Sequence, residues 1–163
     1  MFSLWRVLEA LLLVLAANGA PILLARLTHG RTLPSVDFGC RLGDGQPLFG
    51  RSKTWPGVMA AIVATSLVGL MLGHSWLVGA AAGAAAMVGD LCSSFIKRRL
   101  GIPPSGQAFL LDQIPEALLP ALVLSYWLPL TAVEVLAATV LFLLLGSPLS
   151  LLLFRLGIRK KPY

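Results

Sequence analysis

With 163 residues, 57% of them hydrophobic and 12% charged, and a mean hydropathy of +0.85, the chain has too little polar surface to close a water-soluble globule of its size. Its formal net charge of +6 resides in cations that flank apolar runs. That placement points to anionic lipid or phosphate and away from nucleic acid, whose binders carry a basic face on a soluble fold.

Five apolar runs fit the length at roughly 20 residues per crossing. The expectation is an all-α integral membrane bundle of five transmembrane helices in a single domain, with spans at about 4–27, 56–73, 77–96, 115–130 and 131–154. The first run reads as a span and not as a signal peptide, because Arg6 is its only early cation. It contains Asn18-Gly19-Ala20-Pro21, which reads either as a kink packed on a neighbour or as a place where Asn18 faces a polar cavity.

A polar loop from Thr28 to Trp55 follows, rich in Gly, Pro and Asp, and long enough to favour a functional loop over a connector. Its stretch GQPLFGRS, residues 45–52, is one residue short of a phosphate-binding P-loop but lacks the strand that motif needs. Arg51, Lys53 and Thr54 still place two cations and a hydroxyl before the free N–H groups of a helix start. The second run carries no charge and ends at Gly73-His74-Ser75-Trp76, where His74 reads as a boundary residue and not a catalytic one. His29 is read the same way.

The third run opens on small residues, which let helices approach backbone to backbone, and then carries Asp90. A carboxylate in a span costs about 2.5–3.5 kcal/mol on insertion scales and usually faces a partner or a cavity. Asp90, Ser93, Ser94 and Lys97 recur at helical spacing on one face. Pro103-Pro104 then ends the helix, and Asp112, Gln113 and Glu116 precede or open the fourth run. A basic tail, Arg155, Arg159, Lys160 and Lys161, closes the chain. With five spans, both polar loops and the tail share the cation-rich side, which the positive-inside rule makes cytoplasmic in a multi-pass protein of the cell membrane.

One pocket on that side can draw on Asn18, Lys53, Asp90, Lys97 and Asp112. Carboxylates, cations and hydroxyls without His or Cys ligands suit Mg²⁺ and phosphates. Physical chemistry alone reaches a membrane protein that handles phosphate or phospholipid, and a non-catalytic transporter subunit or lipid-binding scaffold remains the alternative.

The strings FGRSKTWPG, GDLCSSFIKRRLG and LLDQIPE, with NGAP in the first span, resemble the CDP-archaeol synthase family, more specifically its bacterial members, relatives of the phosphatidate cytidylyltransferases. The resemblance implies a five-span enzyme that uses Mg²⁺ to transfer CMP from CTP to a lipid phosphate, archaetidic or phosphatidic acid-like, releasing pyrophosphate. It implies Asp90, Lys97 and Asp112 as catalytic residues, and Asp90 and Asp112 as metal ligands. Asn18, Lys53, Thr54, Ser94, Arg98 and Gln113 become the substrate-binding candidates. Pro115 stands where the archaeal pattern has a further Asp, and Glu116 is the candidate to replace it. Pro56 stands where that pattern has Arg.

Overall fold

A computed structural model describes residues 2–28, 31–104, 106 and 108–157. His29 and the tail cations Arg159, Lys160 and Lys161 lie outside the described residues. Five helices follow in order: α1 (Leu4–Leu27), α2 (Trp55–Met71), α3 (Trp76–Arg99), α4 (Phe109–Leu124) and α5 (Ala132–Arg155). Among the described residues strand pairing is limited to two isolated bridges, Ser35 with Thr54 and Arg41 with Pro47. α1, α3 and α5 are each long and apolar enough to cross a membrane, whereas α2 and α4 are shorter at 17 and 16 residues.

Burial is sorted by size in the manner of a membrane bundle. Ala10, Ala17, Ala61, Ala82, Ala86, Ala117, Ala121 and Ala138 are buried, while Leu67, Met71, Leu136 and Leu144 point outward. Lipid removes the penalty for exposing Leu, so small residues go where helices must meet closely. α1 touches all four other helices, and α3 lies against α1, α2 and α4. Two close approaches fix α3. A Cβ on Gly79 would stand 2.1 Å from the Thr65 carbonyl oxygen of α2, and one on Gly89 would stand 2.3 Å from the Pro115 carbonyl oxygen of α4.

The polar contacts sort into two ends. At one end Arg99 bridges to Asp44 and Gly50 packs on Pro104, joining the two polar loops. At the other, His74 Nε2 lies 3.5 Å from Glu9 Oε1, Arg6 donates to the Pro129 carbonyl, and the Ser3 N–H donates to Glu134. Thr131 and Glu134 form a reciprocal capping box that starts α5.

The fourth helix departs from expectation. It runs from 109 to 124 in place of about 115 to 130. Pro115, where the span was expected to begin, lies inside the helix, and the helix start is closed by Asp112, whose Oδ2 accepts the N–H of the N-cap Ala108 at 3.1 Å. The far end stops in the turn at 125–130, before Pro129. Asp112 and Glu116 are therefore both helical, four apart and on one face.

Candidate active site

Lys53 leaves the first polar loop one residue before Thr54, the N-cap of α2. Its ammonium pairs with the Asp90 carboxylate of α3. Lys97, two turns further along α3, pairs with Asp112 of α4 at 2.6 Å and also donates to the Gly106 carbonyl at 3.2 Å. The close approach at Gly89 brings the next residue of α3, Asp90, beside Glu116 of α4. Two carboxyl groups side by side need positive charge between them, as a shared proton or a cation. Three carboxylates and two lysines thus converge from the first loop, α3 and α4.

Arg98 adds a third cation. It is 2% exposed, its Nε donates weakly to the Ser94 carbonyl at 3.4 Å, and its buried Nη1 has no partner among the described residues. An orphaned guanidinium donor in a buried site calls for an anion. Ser93 and Ser94 are buried beside it, and the Ser93 hydroxyl is engaged by the Asp90 carbonyl at 2.9 Å.

The remaining sequence candidates sit differently. The Thr54 hydroxyl accepts the Gly57 N–H at 3.2 Å as a helix cap. Asn18 donates to the Val14 carbonyl of its own helix at 3.0 Å, the usual outlet for a short amide within a helix, and no bond from it to the cluster is seen among the described residues. The Gln113 amide fills the gap left by Gly146 of α5, where a Cβ would meet Nε2 at 2.8 Å, and its buried Oε1 has no partner among the described residues.

Two residues escaped the sequence reading. Arg99 clamps the first loop through the Asp44 carboxylate and the Pro47 carbonyl, at 2.7 and 2.6 Å, and also lies over the Phe95 ring. Asp37, 6% exposed, accepts the N–H groups of Gly39, Phe49 and Gly50 at 3.0, 3.0 and 2.8 Å. Burial pushes its carboxyl up, but the donors from Gly50, Phe49, Gly39 and Ser35 outweigh burial and hold it at about 2, below the ordinary 3.8. The available signal was Asp37-Phe38-Gly39, an Asx-turn spacing.

A family model described as CarS-like, CDP-archaeol synthase, matches residues 74–163. The chain is 37% identical to the CDP-archaeol synthase of Pyrobaculum calidifontis, covering 90% of each chain. To that of Aeropyrum pernix it is also 37% identical, over 98% of this chain and 95% of the other. The chain belongs to the CDP-archaeol synthase family. Its fold matches a solved intramembrane enzyme for archaeal membrane lipid biosynthesis with a TM-score of 0.73 at 31% identity, over 88% of this chain and 92% of that one. Membership makes the protein a membrane-embedded cytidylyltransferase and disfavours the scaffold reading. A CDP-archaeol synthase-type site must hold phosphate-rich ligands, and the cluster around Asp90 is the one place among the described helices where carboxylates and cations converge between α3 and α4.

Proposed function

We propose that this chain transfers CMP from CTP to the phosphate of an anionic lipid, archaetidic or phosphatidic acid-like, giving a CDP-lipid and pyrophosphate. The observation that carries the reading is the paired cluster itself, Lys53 with Asp90 and Lys97 with Asp112, next to Glu116 and the Arg98 Nη1 that has no partner among the described residues. A lipid phosphate oxygen forms a bond to the α-phosphorus of CTP as the α–β bridging P–O bond breaks and pyrophosphate leaves. Lys53 and Lys97 stabilise charge on the departing phosphates, and Arg98 Nη1 is placed to bind a phosphate oxygen. Ser94, one turn before Arg98, is a further proposed substrate contact; Thr54, Gln113 and Asn18 are proposed contacts that must leave their present neighbours, the Gly57 N–H, Gly146 and the Val14 carbonyl, to serve.

The donor set also fits a divalent cation. No group of three or more His, Cys, Asp or Glu side chains among the described residues forms a ready cage, but Mg²⁺ needs only one or two carboxylates when substrate phosphates and water fill the other positions. Asp90 and Glu116, already side by side, and Asp112 one turn before Glu116 are the oxygen ligands that would hold it. When bound, Mg²⁺ would neutralise phosphate charge.

The site faces the cytoplasm in this reading. The loop end carries Arg26, Arg31, Arg41, Arg51, Lys53, Lys97, Arg98, Arg99 and Arg155, against Arg6 at the other, and the cation-rich end of a membrane protein stays inside.

The test is direct. Detergent-purified protein given labelled CTP, Mg²⁺ and a panel of ether- and ester-linked lipid phosphates should yield a CDP-lipid identified by mass. No product with any lipid phosphate counts against the proposal.

A further inference from the structure

We propose that Asp37 is the residue that positions Lys53, through a closed circuit of backbone hydrogen bonds. The circuit can be followed atom by atom. Asp37 Oδ2 accepts the buried Gly50 N–H at 2.8 Å. The Gly50 carbonyl accepts the Lys53 N–H at 3.1 Å, and the Lys53 carbonyl accepts the N–H of Val36, the residue before Asp37, at 2.8 Å. Both backbone polar groups of Lys53 are thereby tied to the Val36–Asp37 pair. Trp55, two residues on, donates to the Pro34 carbonyl at 3.0 Å and closes the same strip from outside.

The circuit is also anchored in space. Gly50 turns with φ +99° and lies against Pro104 of the second loop, so the loop cannot slide along α3 without losing that contact. A long, flexible lysine side chain finds one carboxylate reproducibly only if its Cα is fixed, and the loop supplies that fixation. Asp37 suits the role because its three backbone donors call for a carboxylate. In Asp37→Asn, an amide that keeps the Gly39 bond through its oxygen turns its NH₂ toward the Phe49 and Gly50 N–H groups, donor against donor.

Arg99 grips the outer part of the loop at Asp44 and Pro47 and lies outside the circuit. It provides the control. That Lys53 serves CTP rests on the proposed function; its placement by Asp37 does not, and the experiment has an arm for each.

In the first arm, acetylation by a water-soluble amine-reactive ester is followed residue by residue by mass spectrometry in detergent. Lys53 and Lys97, both ion-paired, are compared within one sample. Asp37→Asn should raise the Lys53 rate by about 5-fold or more through local opening, with Lys97 changed by less than about 2-fold. Arg99→Ala should leave Lys53 near the wild-type rate. Ser35→Ala, which removes the hydroxyl donor to Asp37, should give a smaller rise and serves if the Asn variant does not fold. An unchanged Lys53 rate in folded Asp37→Asn, a parallel rise of Lys97, or an equal rise in Arg99→Ala overturns the proposal.

The second arm is the transfer assay. Mispositioning of Lys53, whose charge acts on the departing phosphates, should lower kcat/KM for CTP by about 10- to 100-fold per folded protein, with the folded fraction taken from gel filtration. An unchanged kcat/KM in the folded variant overturns it. If the wild-type protein makes no CDP-lipid, the proposed function falls while the labelling arm still decides where Lys53 is held.

Discussion

Lys53 and Asp90, 37 residues apart in sequence, meet as an ion pair between the first polar loop and α3. Lys97 and Asp112 repeat the arrangement between α3 and α4. In this state each lysine neutralises one carboxylate. A cation that takes the carboxylates releases the lysines, and a triphosphate that takes the lysines releases the carboxylates. Metal and nucleotide should therefore bind with positive coupling.

Calorimetric titration checks this coupling. CTP affinity should rise by about 10-fold or more when Mg²⁺ replaces chelator, within the usual range for coupled sites. Lys53→Met should tighten binding of Mn²⁺ alone, read by its paramagnetic resonance signal, because Asp90 loses its competitor. Equal CTP affinity with and without metal would remove the exchange.

Asp90→Asn and Asp112→Asn should each lower CDP-lipid formation by about 100-fold or more, the usual scale for losing one electrostatic element of a site. Both variants should still elute as folded protein in detergent. Near-normal turnover in either takes that residue out of the site.

Gly89→Ala tests the helix approach that brings Asp90 to Glu116. The added Cβ would lie 2.3 Å from the Pro115 carbonyl oxygen, on backbone that cannot rotate aside, so α4 must move away from α3. Overpacking of this kind costs about 1–3 kcal/mol. A lower thermal midpoint together with a loss of transfer activity is expected, and a variant with wild-type stability and activity would show that the approach is dispensable.

Much of the candidate site was legible in the sequence because charge is scarce there. Asp90, Lys97 and Asp112 stand out in apolar surroundings, where an ionisable group needs a partner. Their pairing was not legible: spacing places Asp90 and Lys97 on one helical face, yet each pairs with a residue from another element. The start of α4 was left open because the apolar run begins only at about 115, whereas the helix already starts at Phe109 with the Asp112 reach-back to Ala108. Asp37 was hidden for the opposite reason to Asp90. A carboxylate in a Gly/Pro-rich loop looks solvated, and only the fold shows it buried under three N–H donors.

That buried carboxylate gives the loop a defined response to acid. Asp37 titrates at about 2 in the folded protein against an ordinary 3.8, so it binds fewer protons folded than unfolded between those values. Its contribution to loop stability is complete above the ordinary value and is lost as pH falls through the folded one. Pepsin, which is active across this range, reports on loop opening. Cleavage within residues 31–54 should stay slow down to about pH 4 and accelerate steeply toward pH 2 as protonation removes the acceptor. Asp37→Asn should already be cut at pH 5, with a much shallower change below it. If both proteins show the same acid transition, another group governs the loop, and Asp44, paired with Arg99, is the next to replace.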